Sequence, residues 1–180
     1  MNLNELRDRA YQCAVAHGWH EENLSNEHFL CLVISELMEA VEADRKGRHA
    51  NRNLFEYYMN QKARSDDEFI YAFKHGIKDT VEDELADAFI RLLDLAGLRG
   101  IPIRYSFGSV VQEDKTFTEN IYYIISELTN PKYTSITNIG YALNQIQKLA
   151  DMLKIDILWH IEQKMKYNEL RPYKHGNKNY

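Results

Sequence analysis

A pair of carboxylates set inside an apolar helical run, and then repeated, constrains this chain more than any other feature. In Ser35-Glu36-Leu37-Met38-Glu39-Ala40, two acids three residues apart follow the run Phe29-Leu30-Cys31-Leu32-Val33-Ile34. Helical positions i and i+3 share a face, so Glu36 and Glu39 point the same way. Glu84-Leu85-Ala86-Asp87 repeats the arrangement inside a second apolar-periodic segment. Carboxylates at the edge of a core-facing stripe are costly to desolvate unless they are paired or metal-bound. Two such helices can pack with their pairs facing each other, and four carboxylates that close repel strongly unless a cation lies between them. Hard oxygen ligands favour Mg²⁺ or Mn²⁺. The spacing thus predicts a metal cage of Glu36, Glu39, Glu84 and Asp87.

With 27 acidic residues among 180, an isolated acidic i,i+3 pair means little, and most such pairs are a solvated helix face. Ile124-Ile125-Ser126-Glu127-Leu128 echoes Ile34-Ser35-Glu36-Leu37, yet it carries Asn130 where the second carboxylate would stand. What distinguishes the two pairs is their setting. Leu32, Val33 and Leu37 flank the first, and Val81, Leu85, Ala88, Phe89 and Leu92 flank the second.

The length suits one good core, and 44% hydrophobic residues with only three prolines fit a helix-rich globular chain. A net charge of −5 gives no bulk electrostatic reason to bind nucleic acid or an anionic membrane. An anionic substrate would need metal ions and a local basic cluster. Cys13 and Cys31 are too few for a disulfide framework and sit in apolar helical patterns, so both are expected as buried free thiols. The N-terminus has no signal-peptide core and no apolar run reaches membrane-spanning length, which predicts a cytoplasmic protein.

Helical periodicity and cap residues predict helices from Asn4 to His17, from Ser25 or Asn26 to Lys46, and from Asp79 or Thr80 to Arg99. Between the last two, residues 47–78 read as an insertion with short helices at Leu54 to Ala63 and from the capping box Ser65-Asp66-Asp67-Glu68 to Lys74. A loop over 101–116 leads to helices at Thr118 to Thr129, stopped by Asn130-Pro131, at Ser135 to Lys154, and after Asp156 to Leu170. No segment alternates convincingly as a strand. The expected fold is all-α, an antiparallel helical bundle in a single domain. Trp19, just past Gly18, reads either as a core anchor at a helix junction or as an aromatic wall beside a ligand.

Near the C-terminus, from Lys164 to Lys178, basic residues and amides concentrate in an otherwise acidic chain. Lys164, Asn168 and Arg171 fall at i, i+4 and i+7 on one helical face, where they could run along a polyphosphate. The competing reading is a solvated, frayed basic tail over residues 171–180.

Glu36-x-x-Glu39, then Glu84-x-x-Asp87 within EDELADAFIRLLDLAG, then Lys164-Met165-x-x-Asn168-x-x-Arg171 resemble one family in one order. They look like the MazG-like all-α nucleoside triphosphate pyrophosphatases, a group that includes dimeric dUTPases and dCTP pyrophosphatases. GW before the second helix and RPYKHG near the end are also similar. The resemblance covers roughly residues 5–47, 79–100 and 150–178. The long segment between the acidic helices and the helix around 118–129 depart from it. The resemblance implies Mg²⁺-dependent (or Mn²⁺-dependent) hydrolysis of a nucleoside triphosphate between its α and β phosphorus atoms. It implies Glu36, Glu39, Glu84 and Asp87 as metal ligands and catalytic groups. Lys164, Asn168 and Arg171, with Lys174 as a looser match and Trp19 as an aromatic wall, would face the substrate. It also implies a homodimer or homotetramer, and the long apolar faces over 29–41 and 85–98 point the same way.

Two rivals differ in class. A di-iron bundle needs Glu-x-x-His pairs, and the sequence has none. A non-catalytic helical scaffold could use acidic faces as partner surfaces, but it does not require the basic C-terminal set.

Overall fold

Helices in the computed structural model begin where a side chain can accept a hydrogen bond from a free backbone N–H. The structure describes residues 2–61, 65–104, 108–130 and 135–177. Among these there is no strand. The elements are α1 (Leu3–Ala16), α2 (Asn26–Arg45), α3 (Arg52–Gln61), α4 (Asp66–Gly76), α5 (Val81–Leu98), α6 (Phe117–Leu128), α7 (Ser135–Met152), α8 (Ile157–Glu169) and a distorted last turn, α9 (Lys174–Asn177). Ser25, Thr80 and Asp156 accept from the N–H groups of His28, Asp83 and Trp159. Ser65 with Glu68, and Thr116 with Glu119, form complete capping boxes. Caps of this kind are worth about 1 kcal/mol each.

Boundaries differ from the sequence reading by one or two residues, as where α7 ends at Met152 and not Lys154, and at two of them the reason is visible. α3 starts at Arg52 because Asn51 Oδ1, at 2.9 Å, accepts from Leu54 N–H and so caps the helix earlier. α4 continues past Lys74 to Gly76, whose carbonyl accepts from Asn51 N–H at 2.7 Å. The expected α3 end at Ala63, the stop at Pro131 and Lys178 of the basic tail lie outside the described residues.

α5 is the axis of the bundle, packed against α1, α2, α7 and α8. Leu85, Phe89, Leu92, Leu93, Leu95 and Ala96 are all buried, so the helix is apolar apart from one charged stripe and needs neighbours on nearly every side. Its contacts fix directions. Arg91 meets Glu36 while Arg99 meets Asn26, so α2 runs antiparallel to α5. Arg7 donates to the Ile101 carbonyl while Tyr11 packs on Gly97, so α1 does too. Among the described residues no helix is long and apolar enough to cross a membrane.

The insertion is not an appendage. α3 and α4 form a hairpin with its own aromatic core of Phe55, Phe69 and Phe73, and Phe73 stacks on Tyr167 of α8 with ring centroids 4.3 Å apart. Glu82, in the first turn of α5, accepts from Ala50 N–H at 2.8 Å and ties the start of the insertion beside the two acidic helices.

The expectation of two buried thiols is corrected: Cys13 is half-buried and Cys31 is exposed. α2 buries Val33, Leu37 and Ala40, and Cys31 lies two residues from Val33, about 200° round the helix.

Gly97 marks the closest approach of α1 to α5, since a Cβ there would lie 2.5 Å from Tyr11 Cβ. Gly97→Ala gains about 1 kcal/mol of helix propensity but must push two packed helices apart, at a cost of about 1–3 kcal/mol. The expected result is a net loss of stability in urea titrations. A gain in midpoint would show that the two helices are not in contact there.

Candidate metal centre

Because α2 and α5 are antiparallel, position 36 faces the turns of α5 that carry Glu84 and Arg91. Glu36, Glu39 and Glu84 each bring a carboxylate oxygen within 4.8 Å of the others, with Glu36 and Glu84 buried and Glu39 exposed. Asp87 is not in this group. Its Oδ2 lies 3.2 Å from Lys164 Nζ, which also lies 2.9 Å from Asp83 Oδ1. The four acids singled out by spacing are therefore divided, three facing one another and one held by the lysine. Lys164 is itself almost wholly buried, yet it lines the same cleft as Asn168 and Arg171.

Asp79, Asp83 and Glu84 form a second close group. Here Asp83 is already neutralised by Lys164, and its Oδ2 accepts from Asp79 N–H at 3.0 Å. On the other side, Arg91 Nε and Nη2 both lie 2.6 Å from Glu36 Oε1. Five carboxylates, from Glu36, Glu39, Asp83, Glu84 and Asp87, thus meet two directly paired cations, Lys164 and Arg91, with Arg171 acting from further off.

That imbalance appears in the proton affinities. Burial, and then the charge of Asp87, push Glu36 up to about 7 despite Arg91. Burial, and then the charge of Asp83, push Glu84 up to about 9 despite Lys164. Burial also raises Asp83. Asp87 is the exception: burial would raise it, but Lys164, Arg91 and Arg171 together hold it below the usual carboxylate range. Lys164 stays firmly protonated, because Asp87, Asp83 and Glu84 outweigh its own burial.

Three converging carboxylates whose charge the protein's own cations compensate only in part fit a small hard divalent cation. Glu36, Glu39 and Glu84 are the residues that would hold Mg²⁺ or Mn²⁺. Asp87 could join them only by sharing its charge with Lys164.

These groups line one end of a cleft of about 230 Å³. Trp19, Asn168 and Arg171 line it too, whereas Lys174 does not. Trp19 is half-exposed and meets His175 edge-on, with ring centroids 5.0 Å apart, so it is a cleft wall and not a core anchor. Asn168 Oδ1 is buried there without a hydrogen-bond partner. Lys174 pairs instead with Glu21 Oε2 at 3.0 Å, and its N–H donates to the His17 carbonyl, fastening the last turn to the loop after α1.

Spacing alone missed four participants. Asp83 stands four residues before Asp87, on the same helical face, and that register was the available signal. Arg91 stands four residues after Asp87 on that face. The pair His20–Asp94 joins a loop to α5 and leaves no trace in the local pattern.

The raised carboxylates give a signed pH dependence. Glu36 and Glu84 bind protons more tightly folded than unfolded, so their contribution is full at low pH and is lost as pH rises through about 7 and towards about 9. His160, which burial keeps neutral down to about 4, acts in the opposite sense, but only below its ordinary value of 6.5. The melting temperature of metal-free protein should therefore fall between about pH 6.5 and 9. Glu84→Gln should flatten that fall, and Mg²⁺ should reverse it in the parent protein. A melting temperature that rises over this range would contradict the charge imbalance.

No family model matches this chain, and comparison with curated proteins and with solved structures gave no match, so its chemistry rests on the site's own geometry.

Proposed function

We propose that this chain is a Mg²⁺-dependent nucleoside triphosphate pyrophosphohydrolase, similar to the MazG-like all-α group. In this reading water attacks at the α,β bridge, the P–O–P anhydride breaks, and a nucleoside monophosphate and pyrophosphate leave. The observation that carries the proposal is the convergence of Glu36, Glu39 and Glu84 within 4.8 Å, in a cleft that Asn168 and Arg171 also line. A bound Mg²⁺ supplies charge neutralisation of the triphosphate and a lowered pKa for the attacking water.

The remaining work belongs to the chain's own residues. Glu36 and Glu84 are buried and fixed, which suits ligands; Glu39 is exposed and has room to take the proton of the attacking water. Arg171 can contact phosphate bidentately, and Asn168 offers donors beside it. Lys164, engaged with Asp83 and Asp87, acts by holding those acids in register and by lending its charge to the phosphate end. Arg91, at the cleft wall, is a second cation within reach of a phosphate.

A homodimer or homotetramer in the cytoplasm belongs to the same reading. Met38 on α2 and Tyr122 on α6 are 50% and 66% exposed, apolar surface that a second copy would cover. Sedimentation should show an oligomer at micromolar concentration, and a clean monomer would remove that part of the proposal.

The direct test is pyrophosphate release from a panel of NTPs and dNTPs with and without Mg²⁺. Release should require the metal and vanish in Glu36→Gln without loss of fold. Arg171→Ala should lower kcat/KM by roughly ten- to a hundred-fold, the worth of one charge-assisted contact. Metal-independent release, or full activity in Glu36→Gln, would overturn the proposal.

A further inference from the structure

Seven residues beyond Asp87, two helical turns and about 10 Å further along α5, stands another, partly buried acid, Asp94. It lines the same cleft as the carboxylate cluster but takes no part in it. Its Oδ1 accepts from His20 Nε2 at 2.7 Å. The His20 side chain is 6% exposed, and its ring lies 5.6 Å from Phe29 and 5.3 Å from Tyr11, so its plane is fixed. His20 Nδ1 is buried with no partner, which leaves the bond to Asp94 as the polar contact that orients this imidazole. Arg91, one turn earlier, is occupied by Glu36 and makes no ion pair with Asp94. Asp94 is thus aimed from one side, and its side chain remains 16% exposed in the cleft.

Near the Asp94 end of α5 lie Leu24, whose carbonyl accepts from Arg99, and Phe29, which packs on His20. Trp19, Leu24, Phe29, Leu32 and Ile90 give flat or apolar walls. An oriented carboxylate beside apolar walls, about 10 Å along α5 from the level of Asp87, is a hydrogen-bond acceptor suited to the edge of a planar heterocycle. A carboxylate accepts from N–H groups and repels carbonyl oxygens. It therefore favours a base that presents an exocyclic amino group at that point over one that presents a keto oxygen there, in the way acidic side chains accept from the cytosine N4 amino group.

We infer that Asp94, positioned by His20, is the specificity-determining residue of this cleft, and that it selects nucleotides whose base carries an exocyclic amino group over those that present a keto oxygen there. The inference rests on the pyrophosphohydrolase reading and adds to it the class of substrate. A site built to bond a donor rejects the analogue that lacks it far more strongly than an apolar pocket rejects a change of shape.

Matched pairs test this directly, because each differs chiefly at the reading position: CTP against UTP, dCTP against dUTP, and ATP against ITP. With the parent protein and Mg²⁺, kcat/KM for pyrophosphate release should favour the amino member of at least one pair by about tenfold or more. Asp94→Asn turns an acceptor into a group that can also donate, so that ratio should fall at least about tenfold or invert. Asp94→Glu should keep its sign, and His20→Ala should weaken it while metal-ion binding is unchanged. A parent protein that prefers the keto member or neither overturns the inference while leaving the pyrophosphohydrolase reading intact, and needs no variant that folds. An unchanged ratio in folded Asp94→Asn overturns it as well. Failure to hydrolyse any of the six nucleotides would overturn both.

Discussion

The ammonium group of Lys164, buried between Asp83 and Asp87, is the interaction on which the rest of the site depends. A lysine taken out of water alone would give up its proton, and two buried aspartates alone would take protons up. Each side keeps the other charged, and the pair ties α8 to the first turns of α5. Removing one partner from such a buried arrangement costs about 3–5 kcal/mol, because a naked charge is left behind. The same clamp sets the register of α8. One turn on, Tyr167 meets Phe73 of the insertion; Asn168 and Arg171 then reach the cleft. Insertion, clamp and cleft wall are thus one mechanical unit.

The clamp neutralises only part of the local charge. Glu36, Glu39 and Glu84 remain, with Arg91 bonded to Glu36 and the charge of Lys164 felt by Glu84. Placing Glu82, Asp83 and Glu84 in the first turn of a helix recovers some of the cost, since the helix dipole favours anions there. What is left over is a site less comfortable at neutral pH than its surroundings, with Glu36 and Glu84 inclined to hold protons. In the proposed reading a divalent ion would relieve that condition, and a triphosphate would then meet the ion and Arg171 in the same cleft.

Local rules made much of this readable from the residues. Ser25, the Ser65–Glu68 box and Asp156 marked helix starts correctly, and the i,i+3 spacing put Glu36 beside Glu39 on one face. Spacing fixes a face, however, and not the partner that faces it. Nothing local told Asp87 that its partner would be Lys164 from another helix, or told Lys164 that it would be buried. Cys31 looked buried because its run is apolar on every side, while only one side of α2 meets the core. His20 and Asp94 stand 74 positions apart, and no periodicity connects them. The overall bundle was legible because each helix carries its own signal. The division of labour among the acids was not, because it is settled by which charges the tertiary packing brings together.

The central claim is that Glu36, Glu39 and Glu84 form a divalent-metal site in the absence of nucleotide. Titration of Mn²⁺ into the metal-free protein, followed by the loss of the free-ion paramagnetic resonance signal, tests it most directly. Saturable binding is predicted in the parent protein and in Lys174→Ala, which lies outside the cleft, with affinity at least about tenfold weaker in Glu84→Gln. No saturable binding, or binding untouched by Glu84→Gln, would contradict it.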